Sequence, residues 1–228
     1  MPTELSYHPA IMMQSPATQL DLAFIHFPIV ALGVGDIDAL QRFLAATPAP
    51  SDAAFIVVTR RQPHEEPTLF HRLQPYTRLL VQQVTEMTRV EQNRVYVIPA
   101  THTLIGLDTH FHLAPLTKAS PAPVDRCFQT LAQAARMHAV DAPISAVILA
   151  GTGVDGAQGL SHVKAAGGLT AMQDPLDFNA DGLPMQAIAP EEVDLVMPAA
   201  ELPTKVLEYT KHRPQHPRRA RRGGLPAG

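Results

Sequence analysis

Ile29-Val30-Ala31-Leu32-Gly33-Val34-Gly35-Asp36-Ile37-Asp38-Ala39-Leu40-Gln41-Arg42-Phe43-Leu44 is the stretch that sets the fold class. Residues 29–32 are continuously apolar, which reads as a strand buried on both faces, and Gly33-Val34-Gly35 ends it in a turn. Ile37, Leu40, Phe43 and Leu44 then recur at helical spacing, with Asp36 placed to cap the helix. Strand, glycine turn and helix make half of a βαβ unit.

The unit repeats downstream. Residues 53–59 (AAFIVVT) form a second buried-strand run, followed by a polar turn and a helix over about 67–74. Residues 145–150 (SAVILA) lead into Gly151-Thr152-Gly153-Val154-Asp155-Gly156 and then a helix through Leu160, Val163 and Ala166. Residues 169–172 and 193–197 read as shorter strands. Apolar strands alternating with amphipathic helices predict an α/β fold, a three-layer, doubly wound and mostly parallel sheet. Short strands at 94–99, 103–107 and 110–114, with a turn at 107–110, predict a small antiparallel insert on that sheet. The helix over 124–138 carries Val124, Cys127, Phe128, Leu131 and Ala135 on one stripe, so Cys127 is expected as a buried structural thiol.

Composition bounds what this fold can do. The 228 residues are 46% hydrophobic and 17% charged, enough for one domain with a core and too apolar for a disordered chain. A single Cys excludes an intrachain disulfide. Six of the 18 basic residues lie from Lys211 onward, leaving 12 basic against 21 acidic residues before it, a balance of −9. A body that acidic is not expected to bind nucleic acid through its fold. The basic Pro/Arg/Gly tail, 211–228, is expected to be disordered, with weak attraction to polyanions or membranes as the lesser reading. Residues 1–27 are expected as a poorly ordered lead-in and 28–210 as the domain. The first basic residue is Arg42 and no apolar run reaches the roughly 20 residues of a membrane span, so a cytoplasmic protein is expected, without leader or span.

In an open parallel sheet, ligands bind outside the carboxyl ends of the strands. Two loops emerge there, 33–36 and 151–156, each bringing glycines and an acid to the start of a helix. Such a start can hold an anion, or the glycines and acids can simply terminate strands and cap helices. Ala39 and Leu40 stand where a third glycine would complete a dinucleotide-binding fingerprint. His110 and His112 share a strand face, and His64, His71 and His102 are scattered. No metal site and no cofactor are expected from these spacings.

Four segments taken together resemble the catalytic domain of the CheB-type chemotaxis protein-glutamate methylesterases, over residues 27–209. They are 38–44 (DALQRFL), 89–99 (RVEQNRVYVIP), 149–160 (LAGTGVDGAQGL), and 173–175 (QDP) through 181–184 (DGLP) to 193–198 (VDLVMP). The resemblance implies a three-layer α/β sandwich with a Ser-His-Asp triad at the carboxyl edge. It also implies hydrolysis of receptor glutamate methyl esters, receptor Gln deamidation, and methyl-accepting chemoreceptors or another signalling protein as partners. Only the acid carries over, as Asp155. The nucleophile turn reads Gly33-Val34-Gly35 and runs straight into Asp36, with no Ser. Thr59-Arg60 occupies the place of the base, putting Arg60 where the His stands, and His64 remains an alternative base.

An acyl-transfer triad needs a nucleophile, a base and an orienting acid. Gly35 has no side chain, and an Arg stays protonated at any physiological pH. The expectation is a degenerate, inactive or impaired methylesterase-like module. An Arg60–Asp155 ion pair is expected in place of the catalytic hydrogen bond, the alternative being that Asp155 caps the following helix. Two further readings stand beside it. One is a hydrolase rearranged around Thr152 or His64, and the other a small-ligand binder using the loops with Gly33, Thr152, Gly153 and Gly156.

Overall fold

Seven parallel strands lie in the order β3-β4-β2-β1-β7-β8-β9: Leu80–Gln83, Arg94–Val97, Ala54–Thr59, Ile29–Val34, Ile144–Leu149, Leu169–Gln173 and Leu195–Met197. The structure, a computed structural model, describes residues 24–59, 69–117, 122–137, 139–149, 155–177 and 189–212. The central strands β1, β2 and β7 are buried at every position, as their unbroken apolar runs require of strands covered on both faces.

Side-chain alternation divides the core into two layers. Ile29, Ala31, Ala54, Ile56, Ala146 and Ile148 face α3 (Pro123–Arg136) and α4 (Ala157–Ala165), which supply Phe128, Leu131, Leu160 and Val163. Val30, Leu32, Phe55, Val57, Val147 and Leu149 face the other way, against α1 (Ile37–Ala46), α2 (Leu69–Leu73) and α5 (Leu202–His212). The α/β three-layer expectation is met. Asp36 caps α1 as expected, its carboxylate accepting from the Asp38 and Ala39 N–H groups at 3.2 and 3.3 Å.

Several local readings change. The expected antiparallel insert is present as the pair β5 (His102–Leu107) and β6 (Phe111–Pro115), a separate two-stranded sheet packed on the α3 layer. The strand at 94–97 is parallel and belongs to the main sheet. Strand β3 and helix α5 were not anticipated. Ile25, inside the expected lead-in, is buried and bridges Val140, while residues 1–23 lie outside the described residues. Lys211 and His212 form the last turn of α5, and the rest of the basic tail lies outside the described residues.

One buried group works against the fold. The Ser145 hydroxyl, on β7, is fully buried and has no hydrogen-bond partner among the described residues. An unsatisfied buried hydroxyl carries its desolvation cost with no compensating bond. Ser145→Ala is therefore expected to keep or raise stability, by up to about 1 kcal/mol in urea unfolding. A loss of more than about 1 kcal/mol would show that the hydroxyl has a partner in solution.

Candidate functional site at the carboxyl edge

The helices change faces between β1 and β7: α1 follows β1 on one side of the sheet, and α3 and α4 flank β7 on the other. That is the switch point at which open α/β sheets open a crevice. Three strand ends meet there in register, because Val34 of β1 pairs with Thr59 of β2 and with Leu149 of β7. Gly35, the next residue after β1, donates its N–H to the Leu149 carbonyl at 3.0 Å and is exposed. The exits of β1, β2 and β7 thus lie side by side, and these are the exits on which Gly35, Arg60 and Asp155 follow.

Asp155 is held by two backbone donors. Its carboxylate accepts from the N–H groups of Val124 and Asp125 at 3.3 and 3.1 Å, in the first turn of α3. The residue before that helix is Ala122, which offers no side-chain cap. Asp125 returns the interaction: its carboxylate accepts from the Gly159 N–H at 2.7 Å, in the first turn of α4, whose own N-cap, Gly156, has no side chain to offer. Thus α4 is capped by an acid of α3, and α3 by the acid that stands just ahead of α4. Asp155 therefore caps α3, not the helix that follows it in sequence.

The glycines of the site divide by role. Gly33, expected in the loop, lies within β1 and directly beneath α3. A Cβ there would run into Val124 Cγ1, so the strand needs a glycine for the helix to seat. Gly156 adopts φ +105°, a conformation open to glycine and strained for other residues, at the turn between Asp155 and α4. Arg60, His64, Thr152 and Gly153 lie outside the described residues, and the Arg60–Asp155 pairing lies there with them.

Sequence reasoning missed two features of this edge. Thr59 closes β2 with a buried hydroxyl that has no hydrogen-bond partner among the described residues. By strand alternation it shares the face of Phe55 and Val57, the α1 side, opposite the layer in which Asp155 meets α3. It is therefore not oriented by that acid. The second is Asp177, which ties three elements together. It accepts from Arg42 of α1 at 2.8 Å, from Gln173 of β8 at 2.9 Å, and from the Ala199 N–H ahead of α5 at 2.9 Å.

Cys127 is buried as expected. Burial first, and the nearby Asp155 carboxylate second, push its thiol up to about 12, which removes it as a nucleophile at neutral pH. His112 hydrogen-bonds Asp108 at 3.0 Å and lies 3.7 Å from Glu86, a polar clasp on the two-stranded sheet. Among the described residues no group of three or more His, Cys, Asp or Glu side chains is placed to hold a metal. No described helix is long and apolar enough to cross a membrane.

A doubly wound parallel sheet with helices on both faces, and an acid fixed after β7 beside the switch point, defines a three-layer α/β domain. Residues 29–206 match the CheB methylesterase family model. The chain is 32% identical over 187 residues to a protein-glutamate methylesterase/protein-glutamine glutaminase of Bordetella parapertussis, covering 78% of this chain and 51% of that one. A protein of the same description from Geobacter metallireducens is 30% identical over 188 residues, covering 79% and 50%. The crystal structure of the Thermotoga maritima CheB methylesterase catalytic domain superposes with a TM-score of 0.68 at 26% identity, covering 81% of this chain and 98% of that one. The chain belongs to the CheB methylesterase family. It spans about half the length of the curated relatives it matches.

Two measurements test the geometry. Asp155→Ala and Asp125→Ala should each cost about 1–2 kcal/mol in urea unfolding, as lost N-caps do. The double variant should depart from additivity by about 0.5 kcal/mol or more, because the Asp125 backbone is itself bound by Asp155. Additive losses would dismiss the reciprocal cap. Asp177 supplies a pH signature. Burial pushes its carboxyl up, but the bonds from Ala199, Gln173 and Arg42 outweigh this and hold it below the ordinary Asp value. A folded-state value below the unfolded one gives stability that is complete above about pH 5 and lost as pH falls through about 4 toward the depressed value. Asp177→Asn should therefore flatten the fall in melting temperature between about pH 5 and 3. An unchanged slope would remove Asp177 from the acid response.

Proposed function

We propose that this chain is a methylesterase-like binding or regulatory domain of chemotaxis signalling that lacks a competent acyl-transfer site. Gly35 carries the reading. At the exit of β1, where the family resemblance calls for the nucleophile, the chain passes from Val34 through an exposed glycine directly into the cap and first turn of α1. Among the described residues, the β1 exit itself, residues 34–36, carries no hydroxyl or thiol. The described serines are elsewhere: Ser51 precedes β2, Ser145 is near the start of β7, and Ser161 is on α4. Arg60 in place of the His deprives the site of a base as well. In a serine protease, loss of the nucleophile or base alone costs about 10⁶ in turnover.

The small-ligand reading finds less support. Three helix starts face the carboxyl edge, and each already receives a carboxylate: Asp36 on α1, Asp155 on α3 and Asp125 on α4. An incoming phosphate or carboxylate would meet negative charge where it needs free N–H groups. The partner that remains is a protein, and the family points to the cytoplasmic segment of a methyl-accepting chemoreceptor.

Methanol release from a peptide bearing a glutamate γ-methyl ester tests the proposal. The full chain is expected to hydrolyse it at less than about 10⁻⁴ of the rate of an intact family member. Titration with a methylated receptor peptide should still show binding. A Gly35→Ser, Arg60→His variant should gain activity over the unmodified chain. Hydrolysis by the unmodified chain at a rate near that of the relatives, abolished by Asp155→Asn without loss of fold, would overturn it.

A further inference from the structure

Strand β3 forms one outer edge of the main sheet, and its sequence invites pairing. Residues 79–84 (LLVQQV) carry no charge, no Pro and no Gly, and Leu80 is half exposed. Edge strands usually discourage intruders with charges, prolines, bulges or brevity, and an uncharged, β-prone six-residue edge has none of the first three. The opposite edge, β9, spans only Leu195–Met197 and is followed by Pro198.

The backbone of β3 shows where a second strand would attach. Val84 donates its N–H inward to the Val97 carbonyl at 2.9 Å, so alternation turns the backbone groups of Val81 and Gln83 away from β4. The Val81 N–H is already taken. It donates to Gln74 Oε1 at 3.0 Å, while Gln74 Nε2 donates to the carbonyls of Leu79 at 3.0 Å and Thr77 at 3.2 Å. One carboxamide thus presents an acceptor and a donor to successive outward groups of β3, as a residue of a neighbouring strand would. Gln74 is held in place by the 3-10 turn Gln74–Tyr76 and by α2, whose Leu69 and Leu73 are buried in the core. Gln83, further along the same edge, has no corresponding side chain on its N–H among the described residues.

We propose that the Gln74 side chain acts as a strand surrogate that closes the β3 edge against the β3 edge of a second copy of this chain. The second copy is the occupant the edge fits. Two uncharged copies of 79–84 meet without repulsion, and an antiparallel pair of identical strands closes on a twofold axis without leaving a further edge. The contact holds the sheet at seven strands by occupying the first pairing position.

Sedimentation velocity over a range of concentrations tests this on the full chain. Gln74→Ala removes all three bonds of the carboxamide, and Gln74→Met removes them while keeping the length of the side chain. Either variant, folded by circular dichroism, should self-associate at least about tenfold more tightly than the unmodified chain. Adding Gln83→Pro deletes the outward N–H that the new pairing needs and should restore the unmodified behaviour. Hydrogen exchange supplies a reading that needs no variant: the Val81 amide should be protected at least tenfold more than that of Gln83. Two results would overturn the proposal: folded Gln74 variants sedimenting as the unmodified chain does, or association indifferent to Gln83→Pro. A Val81 amide that exchanges as fast as that of Gln83 would do so even if neither variant folded.

Discussion

The exchange of carboxylates between α3 and α4 is the constraint on which the site depends. Asp155 closes the first turn of α3 and Asp125 closes the first turn of α4. Neither helix has a capping side chain of its own, since Ala122 and Gly156 occupy the two N-cap positions. The loop leaving β7 is thereby anchored at its far end to a helix that begins more than 30 residues earlier in the chain. That anchorage fixes how α3 crosses the sheet, and the crossing is close. Val124, in the first turn of α3, rests where any side chain on Gly33 would stand. The glycine of the central strand and the acid after β7 are two halves of one packing solution.

The same device decides which chemistry the edge can host. A helix N-terminus attracts anions because its first N–H groups are unsatisfied and its dipole is positive there. Here Asp36 and Asp155 each accept from two of those groups on α1 and α3, and Asp125 accepts from one on α4. At the switch point each of these helix starts thus already carries a carboxylate. A carboxylate used as a cap remains available to orient a neighbouring donor only in the directions its backbone bonds leave open.

The sequence made the architecture legible wherever one physical signal acted alone. Unbroken apolar runs gave β1, β2 and β7, and helical spacing after Asp36 gave α1. It was opaque where a residue answered to a distant partner. Gly33 read as a turn because glycine pairs usually are turns, yet its reason lies in Val124, some 90 residues on. Strand β3 escaped notice because its outer face is half exposed and its edge is completed by the Gln74 side chain, not by another strand. Helix α5 was hidden by Pro203, a strong breaker in a helix interior but harmless in the first turn, where the helix in fact begins. Asp155 was recognisable as a site residue, but nothing local to it announced that its donors sit in α3.

On the proposed reading, the positions of the family's site differ in the work each does in the folded chain. A nucleophile at the exit of β1 projects from an exposed turn, and Gly35 shows that the backbone there keeps its bond to Leu149 with no side chain at all. Loss of such a residue costs chemistry and leaves the fold intact. Asp155 is different, because its removal would uncap α3 and loosen the partner cap that Asp125 provides to α4. A substitution there draws on the few kcal/mol that separate a folded domain from an unfolded one. Stability alone would therefore select for Asp155, and its presence by itself carries no implication of catalysis.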